Sequence, residues 1–198
     1  MAQGGRGSEL AVTGYSIALY LHLLFLLVSA AAAGLAGFGA LQLRHPARPA
    51  DVARWGMFID RIVPVFPLTS LGLLASGAYM TQHSWSWSTP WIDAGIAGLA
   101  VIMALCGGVE GRHGRSLKHE VIANGLSSRA REMLLNPVPW VAKGMTITLM
   151  LAVVFVMTTK PGAAVSASAL VVAAAVGALT GPLFVRTVEV RGAEIGAN

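Results

Sequence analysis

Long stretches of this chain contain almost no charged side chain, and this limits what the chain can fold into. Between Glu9 and Arg44 there is no Asp, Glu, Lys or Arg, and His22 is the only histidine. About 20 apolar residues suffice for a helix to cross the roughly 30 Å hydrocarbon core of a bilayer. Four further stretches of similar character follow. We therefore predict an all-α, polytopic transmembrane bundle whose five spans cover about residues 15–43, 62–81, 91–109, 140–159 and 165–185.

The composition excludes several other classes of protein. Of the 198 residues, 55% are hydrophobic and 12% are charged, whereas globular domains carry about 25% charged residues. So little charge cannot cover a water-facing surface, which excludes a soluble enzyme, a nucleic-acid-binding domain and a disordered chain. The only cysteine, Cys106, excludes a disulfide-stapled module. We predict a single membrane domain over residues 1–198, in contact with lipid and without a nucleic-acid partner.

The distribution of Lys and Arg among the loops predicts the orientation. Cytoplasmic loops are enriched in these residues, and here alternate loops are basic while the loop at residues 82–90 has none. This predicts that the N-terminus lies outside and the C-terminus inside. The basic residues lie in the first loop (Arg44, Arg48, Arg54, Arg61), the third loop (Arg112, Arg115, Lys118, Arg129, Arg131) and the C-terminal segment (Arg186, Arg191).

The N-terminal span could instead be read as a secretory signal. Arg6, the apolar run and the small residues 29–32 resemble a signal peptide with its cleavage site. The apolar run continues to Leu41, however, well beyond the 7–15 residues of a signal core. We therefore expect the first span to be retained.

Glycine and proline predict how the helices pack and where they break. Small residues four apart allow membrane helices to approach closely, within the protein or toward another subunit. We expect a kink at Pro64 and Pro67. In the third loop we expect a surface helix over residues 116–135, interrupted near Gly125, whose basic residues favour anionic lipid headgroups. The small-residue pairs are Ala30/Gly34, Ala33/Gly37, Gly72/Ser76, Ala94/Gly98, Ala104/Gly108 and Gly177/Gly181.

His22 is the main candidate for a functional group within the membrane, because an ionisable side chain there is a functional hypothesis by default. Imidazole binds both haem iron and copper. His83 and Met80 lie near the outer end of the second span, on the same predicted side of the membrane as His22. His22 and His83 are therefore candidate haem b ligands, and His22, Met80 and His83 are candidate copper ligands. The competing interpretation is that His22 is hydrogen-bonded to a neighbouring helix while His83 faces solvent.

Two stretches resemble known bacterial membrane proteins. Tyr20-Leu21-His22-Leu23-Leu24, with the small residues up to Gly34 and Gly39, is similar to the first helix of the copper resistance protein D family and related haem-binding helical proteins. The stretch 157–162, Met-Thr-Thr-Lys-Pro-Gly, resembles the end motif of an integral membrane family of unknown function. The similarity covers roughly residues 15–162. It implies a helical bundle in a bacterial inner membrane and a metal or haem role for His22.

Three functions are compatible with these features. The first is a non-catalytic subunit or accessory protein of a larger bacterial membrane assembly, such as a respiratory or photosynthetic complex, because the spans are poor in polar groups and rich in small residues. The second is a haem b or copper protein using His22. The third is a small transporter, which the lack of acidic residues at mid-membrane disfavours.

Overall fold

The computed structural model describes residues 4–43 and 48–195, with side chains described for residues 14–43, 48 and 50–181. Every regular element in this part of the chain is helical. The α-helices are α1 (Gly4–Gln42), α2 (Pro49–Ile62), α3 (Val65–Ser84), α4 (Pro90–Ala104), α5 (Gly111–Asn124), α6 (Ser128–Leu135), α7 (Val138–Thr159) and α8 (Ala163–Ile195). A π-helical turn, Leu105–Glu110, joins α4 to α5 without a break.

Five helical segments are long and apolar enough to cross a membrane, which confirms the predicted fold class and the number of spans. They are Gly14–Gln42, Ala50–Ser84, Pro90–Asn124, Ser128–Thr159 and Ala163–Gly181. The middle three are longer than the charge-free stretches because helix continues into the flanking polar loops. The chain is thus a multi-pass membrane protein whose spans contact lipid, while the orientation of its termini stays a prediction.

The interruptions expected at Pro64 and near Gly125 are present, whereas α3 continues through Pro67, which lies in its first turn, where a missing amide hydrogen costs no helical bond. Pro64 has no amide hydrogen to donate, so α2 ends at Ile62 and α3 begins at Val65. Gly125 has a φ of +65°, a conformation that favours glycine, and it ends α5. Ser127 then caps α6 by accepting a hydrogen bond from the amide of Ala130 at 3.1 Å.

The chain divides into two compact units, and the first comprises Met1–Ala40 with Met57–Thr89. Its contacts join α1 to α3. Hydrogen bonds connect His22 to Ser76 and Ser29 to Thr69, so a step of seven residues along α1 matches a step of seven backward along α3. This is antiparallel packing with the 3.5-residue period of a left-handed helix pair. The buried positions of α1 follow the same period: Ala18, Ala32, Ala36 and Gly39.

The second unit comprises Leu41–Gly56 with Pro90–Asn198, and α7 lies at its centre. The α7 side chains Ala142, Leu149 and Val156 are buried between α4 and α8. A Cβ at Gly181 would lie 2.5 Å from the carbonyl oxygen of Trp140, and one at Gly177 would lie 2.6 Å from that of Gly144. The predicted Gly177/Gly181 pair therefore brings the backbones of α7 and α8 into direct contact.

Replacing Gly177 with leucine should destabilise the second unit. The new side chain would collide with backbone atoms of α7, which cannot move aside as a flexible side chain can. We expect the free energy of unfolding to fall by about 3 kcal/mol, at the upper end of typical overpacking penalties. Thermal unfolding in detergent measures the loss. Gly34→Leu is the matched control, because a Cβ at Gly34 meets no atom within 4 Å; equal destabilisation by both variants would contradict the assignment.

Candidate functional site

His22 is held in one orientation by Ser76 of α3. Its Nδ1 lies 3.0 Å from the Ser76 Oγ, and that hydroxyl donates its only hydrogen to the carbonyl of Gly72 at 2.6 Å. The hydroxyl must therefore accept from the ring, which places the imidazole proton on Nδ1. The unprotonated nitrogen is then Nε2, the atom through which a neutral imidazole can bind a metal or accept a hydrogen bond.

His83 lies at a different level of the first unit. It is seven residues beyond Ser76, about 10 Å along α3, and the register of the helix pair puts it level with Tyr15 rather than His22. Its side chain is exposed, stacks on Tyr79 with ring centroids 4.2 Å apart, and has its Nδ1 2.8 Å from the Tyr79 carbonyl oxygen. His22 is thus hydrogen-bonded to a neighbouring helix and His83 is exposed, as in the competing interpretation of these two residues.

Met80 is the candidate nearest in level to His22. It lies one turn beyond Ser76, level with Ala18 by the same register, and is half-buried. Thioether and imidazole are ligands that suit copper(I). The two candidate haem ligands, His22 and His83, differ in level by about 10 Å along the helix pair, so the first unit does not bring them together. Among the described residues, no three His, Cys, Asp or Glu side chains group as a metal site.

A second polar cluster lies between the π-helical turn and α7. Lys143 donates to Oε2 of Glu110 at 2.6 Å, and both side chains are about one-fifth exposed. One turn away, the Cys106 sulfur lies 3.9 Å from the Thr146 hydroxyl. The Glu110 Oε1 is buried without a hydrogen-bond partner in the described part of the chain. The ion pair and its polar neighbours therefore form a compact cluster that the residues taken singly do not predict.

The pairing of Glu110 with Lys143 has a weak signal in the sequence. The two residues have opposite charges and lie at the same predicted membrane side, one at the end of the third span and one near the start of the fourth. Because consecutive antiparallel helices commonly pack together, these opposite charges are expected to lie near each other. The π-helical turn, which adds a residue to the helix just before Glu110, has no comparable signal.

The basic third loop is organised by Glu120. Its carboxylate accepts from the Ser127 hydroxyl at 2.7 Å and from the Asn124 amide at 3.1 Å, and Arg129 lies 4.0 Å away. Leu117 packs against Ala130 and Leu134 beneath these groups. Glu120 thus lies in a structured helical hairpin, and its carboxylate is bound by residues of the turn.

Removing the charge of Lys143 should destabilise the protein by leaving the Glu110 carboxylate uncompensated. Breaking a buried ion pair at one partner costs about 3–5 kcal/mol. Because these side chains are one-fifth exposed, we expect Lys143→Met to lower the free energy of unfolding by about 2 kcal/mol. The double variant Lys143→Met/Glu110→Gln should recover part of this loss. Thermal unfolding in detergent of these variants and of Glu110→Gln completes the cycle, and a loss in the double variant equal to the sum of the two single losses would show that the pair is uncoupled.

Comparison with known proteins gives no match: no protein-family model, no curated protein and no solved structure is similar to this chain.

Proposed function

We propose that this protein is a non-catalytic integral membrane subunit that joins a larger assembly of a bacterial inner membrane through one face of α1. The face is the α1 small-residue patch, which we define as Ala30, Gly34 and Gly37. These positions lie on the side of α1 away from the residues that contact α3. A Cβ at Gly34 or Gly37 would meet no described atom within 4 Å. This open patch is the observation that carries the proposal.

The contrast with the glycines at the contact of α7 and α8 supports a contact surface. Gly144, Gly177 and Gly181 each have a backbone atom of a neighbouring helix where a side chain would be. A glycine within a helix costs about 1 kcal/mol relative to alanine, and in the second unit close helix contact offsets that cost. At Gly34 and Gly37, by contrast, a Cβ would meet no atom of the first unit within 4 Å. A further transmembrane helix packed on the patch would supply the missing van der Waals contact.

The polar groups of the spans also favour a packing role over a catalytic one. The hydroxyls of Thr69, Ser76 and Thr81 donate to carbonyl oxygens one turn earlier in α3. Such hydroxyls are already satisfied within their own helix. The hydroxyls of these three residues are therefore taken up by hydrogen bonds to the protein backbone.

Site-directed photocrosslinking in native membranes tests the proposal. Cysteines replacing Gly34 and Gly37, in a Cys106→Ser background, would carry a benzophenone label. Both should give one discrete protein adduct of the same mass, whose composition mass spectrometry identifies. Leu35→Cys is the matched control, because Leu35 is 50% exposed but points away from the patch.

Three outcomes would contradict the proposal. Adducts with lipid alone at positions 34 and 37 would show that the patch faces the bilayer. An equal yield of adducts at position 35 would show that the contact is not specific to the patch. An adduct of twice the mass of this chain would show that the patch contacts a second copy of the protein rather than a different subunit.

The orientation of His22 supports a second candidate function, the binding of copper or haem b. Metal-ligating histidines commonly donate their other ring nitrogen to a neighbouring oxygen, which fixes the ring. Ser76 has this relationship to His22, and Nε2 is the candidate ligand atom. Met80 would be the partner ligand for copper, which in this setting would supply metal transfer or one-electron chemistry.

Metal binding by matched histidine variants tests this candidate. Copper(I) competition against a chromophoric chelator should give one ion per wild-type chain, at least tenfold weaker binding in His22→Gln, and unchanged binding in His83→Gln. An absorption spectrum of the protein purified from its native membrane tests haem b in the same samples. Equal copper affinity in wild type and His22→Gln, without a haem absorption band in the wild type, would eliminate the candidate.

A further inference from the structure

The second unit contains its own markers of membrane depth. At one end of α4, the Lys160 ammonium lies 5.6 Å from the centre of the Trp91 ring, an aromatic residue of the kind that favours membrane interfaces. At the other end, Glu110 pairs with Lys143. The helix from Trp91 to Glu110 rises about 29 Å at 1.5 Å per residue, which matches the roughly 30 Å of a hydrocarbon core. The Glu110–Lys143 pair therefore marks one boundary of the hydrocarbon.

Two arginines follow directly beyond this boundary. Arg112 and Arg115 are two and five residues past Glu110 on the same continuous helix, or about 3 and 8 Å farther along its axis. Headgroups add about 5–8 Å to each side of the hydrocarbon core. Both arginines are exposed. The backbone of both arginines therefore lies within the headgroup layer, and the Arg115 side chain turns back along the helix, with its Nη1 3.7 Å from where a Cβ of Gly111 would lie.

The two arginines also share one face of α5. Residues three apart are neighbours on a helix surface, with Cβ atoms about 5–6 Å apart. Leu117 occupies the opposite face, where it packs against Ala130 and Leu134 of α6. The packing of α5 on α6 thus leaves the arginine face open.

Neither arginine has a described carboxylate as a counterion. Residues 111–135 contain five basic and two acidic side chains, a net charge of +3. The nearest acid, Glu110, is bound to Lys143, and Glu120 is bound to Ser127, Asn124 and Arg129. The ion pairs of the described chain join these carboxylates to Lys143 and Arg129, and not to Arg112 or Arg115.

We propose that Arg112 and Arg115 form a binding site for the phosphate of an anionic phospholipid. A guanidinium group offers paired N–H donors that match a phosphate, and two such groups on one face can hold it from both sides. A glycerophospholipid with net negative charge satisfies both the depth and the charge of this face. The proposal does not depend on the assembly proposed for α1, nor on which side of the membrane the loop faces.

Native mass spectrometry of the full-length protein, titrated with phosphatidylglycerol in detergent, tests the site. Each basic residue beside an anionic surface contributes about 1 kcal/mol, so Arg112→Gln/Arg115→Gln should bind the first phosphatidylglycerol roughly 30-fold more weakly. The matched control is Arg129→Gln/Arg131→Gln, which removes the same charge from α6. Arg129 contacts Glu120. Because Glu120 is ten residues past Glu110, this contact lies about 15 Å beyond the boundary marked by Glu110.

Two comparisons complete the experiment. Phosphatidylcholine, which has no net charge, should bind equally to all variants, and millimolar inorganic phosphate should not displace phosphatidylglycerol. Retained affinity in the Arg112/Arg115 variant, or an equal loss in the Arg129/Arg131 variant, would overturn the proposal. Displacement by inorganic phosphate would overturn it as well, because the site would then recognise the free ion. Elution of both variants like wild type in gel filtration establishes that they are folded.

Discussion

The absence of water from the hydrocarbon core is the constraint on which the rest of this structure depends. A hydroxyl or imidazole there must find its partner within the protein, because burying it unpaired is costly. Thr148 shows the usual solution: its hydroxyl lies 3.0 Å from the Gly144 carbonyl of its own helix and 2.6 Å from the Ala173 carbonyl of α8. Ser76 combines a carbonyl of α3 with the ring of His22 in the same way. Polar side chains in the spans thus determine which helices pair and in what register.

The same constraint explains why glycine recurs at the helix contacts. In lipid there is little hydrophobic driving force to join two apolar helices, so close contact of the backbones must supply the attraction. At Gly177 and Gly181 the approach is close enough that a carbonyl of α7 lies where a side chain would be. In the first unit a different solution appears, because Gly72 accommodates the ring of Phe25 rather than a backbone. Backbone contact thus holds α7 and α8 together in the second unit. In the first unit, the Phe25 ring and the hydrogen bonds of His22 and Ser29 hold α1 and α3 together.

Much of the fold could be predicted from the sequence because its main signals are local. The charge-free stretches predict the spans, and the missing amide hydrogen of Pro64 predicts the break between α2 and α3. The candidate site was less accessible because its contacts join distant segments. The residues on one face of α1 follow each other at three- and four-residue spacing: Ala18, His22, Phe25, Ser29 and Ala32. The other faces of α1 are also apolar, so this spacing does not stand out in the sequence. The partner Ser76 lies 54 residues away, and only the helix register identifies it.

The two proposed contacts of this protein should respond differently to solution conditions because they lie in different media. The α1 small-residue patch is within the hydrocarbon span and presents no charge. Association there would depend on shape and van der Waals contact, so salt should affect it little. Arg112 and Arg115 lie where water and ions have access, and screening acts over about 10 Å at 0.1 M salt. Lipid binding at the arginines should therefore weaken as salt rises, while a complex held by α1 persists.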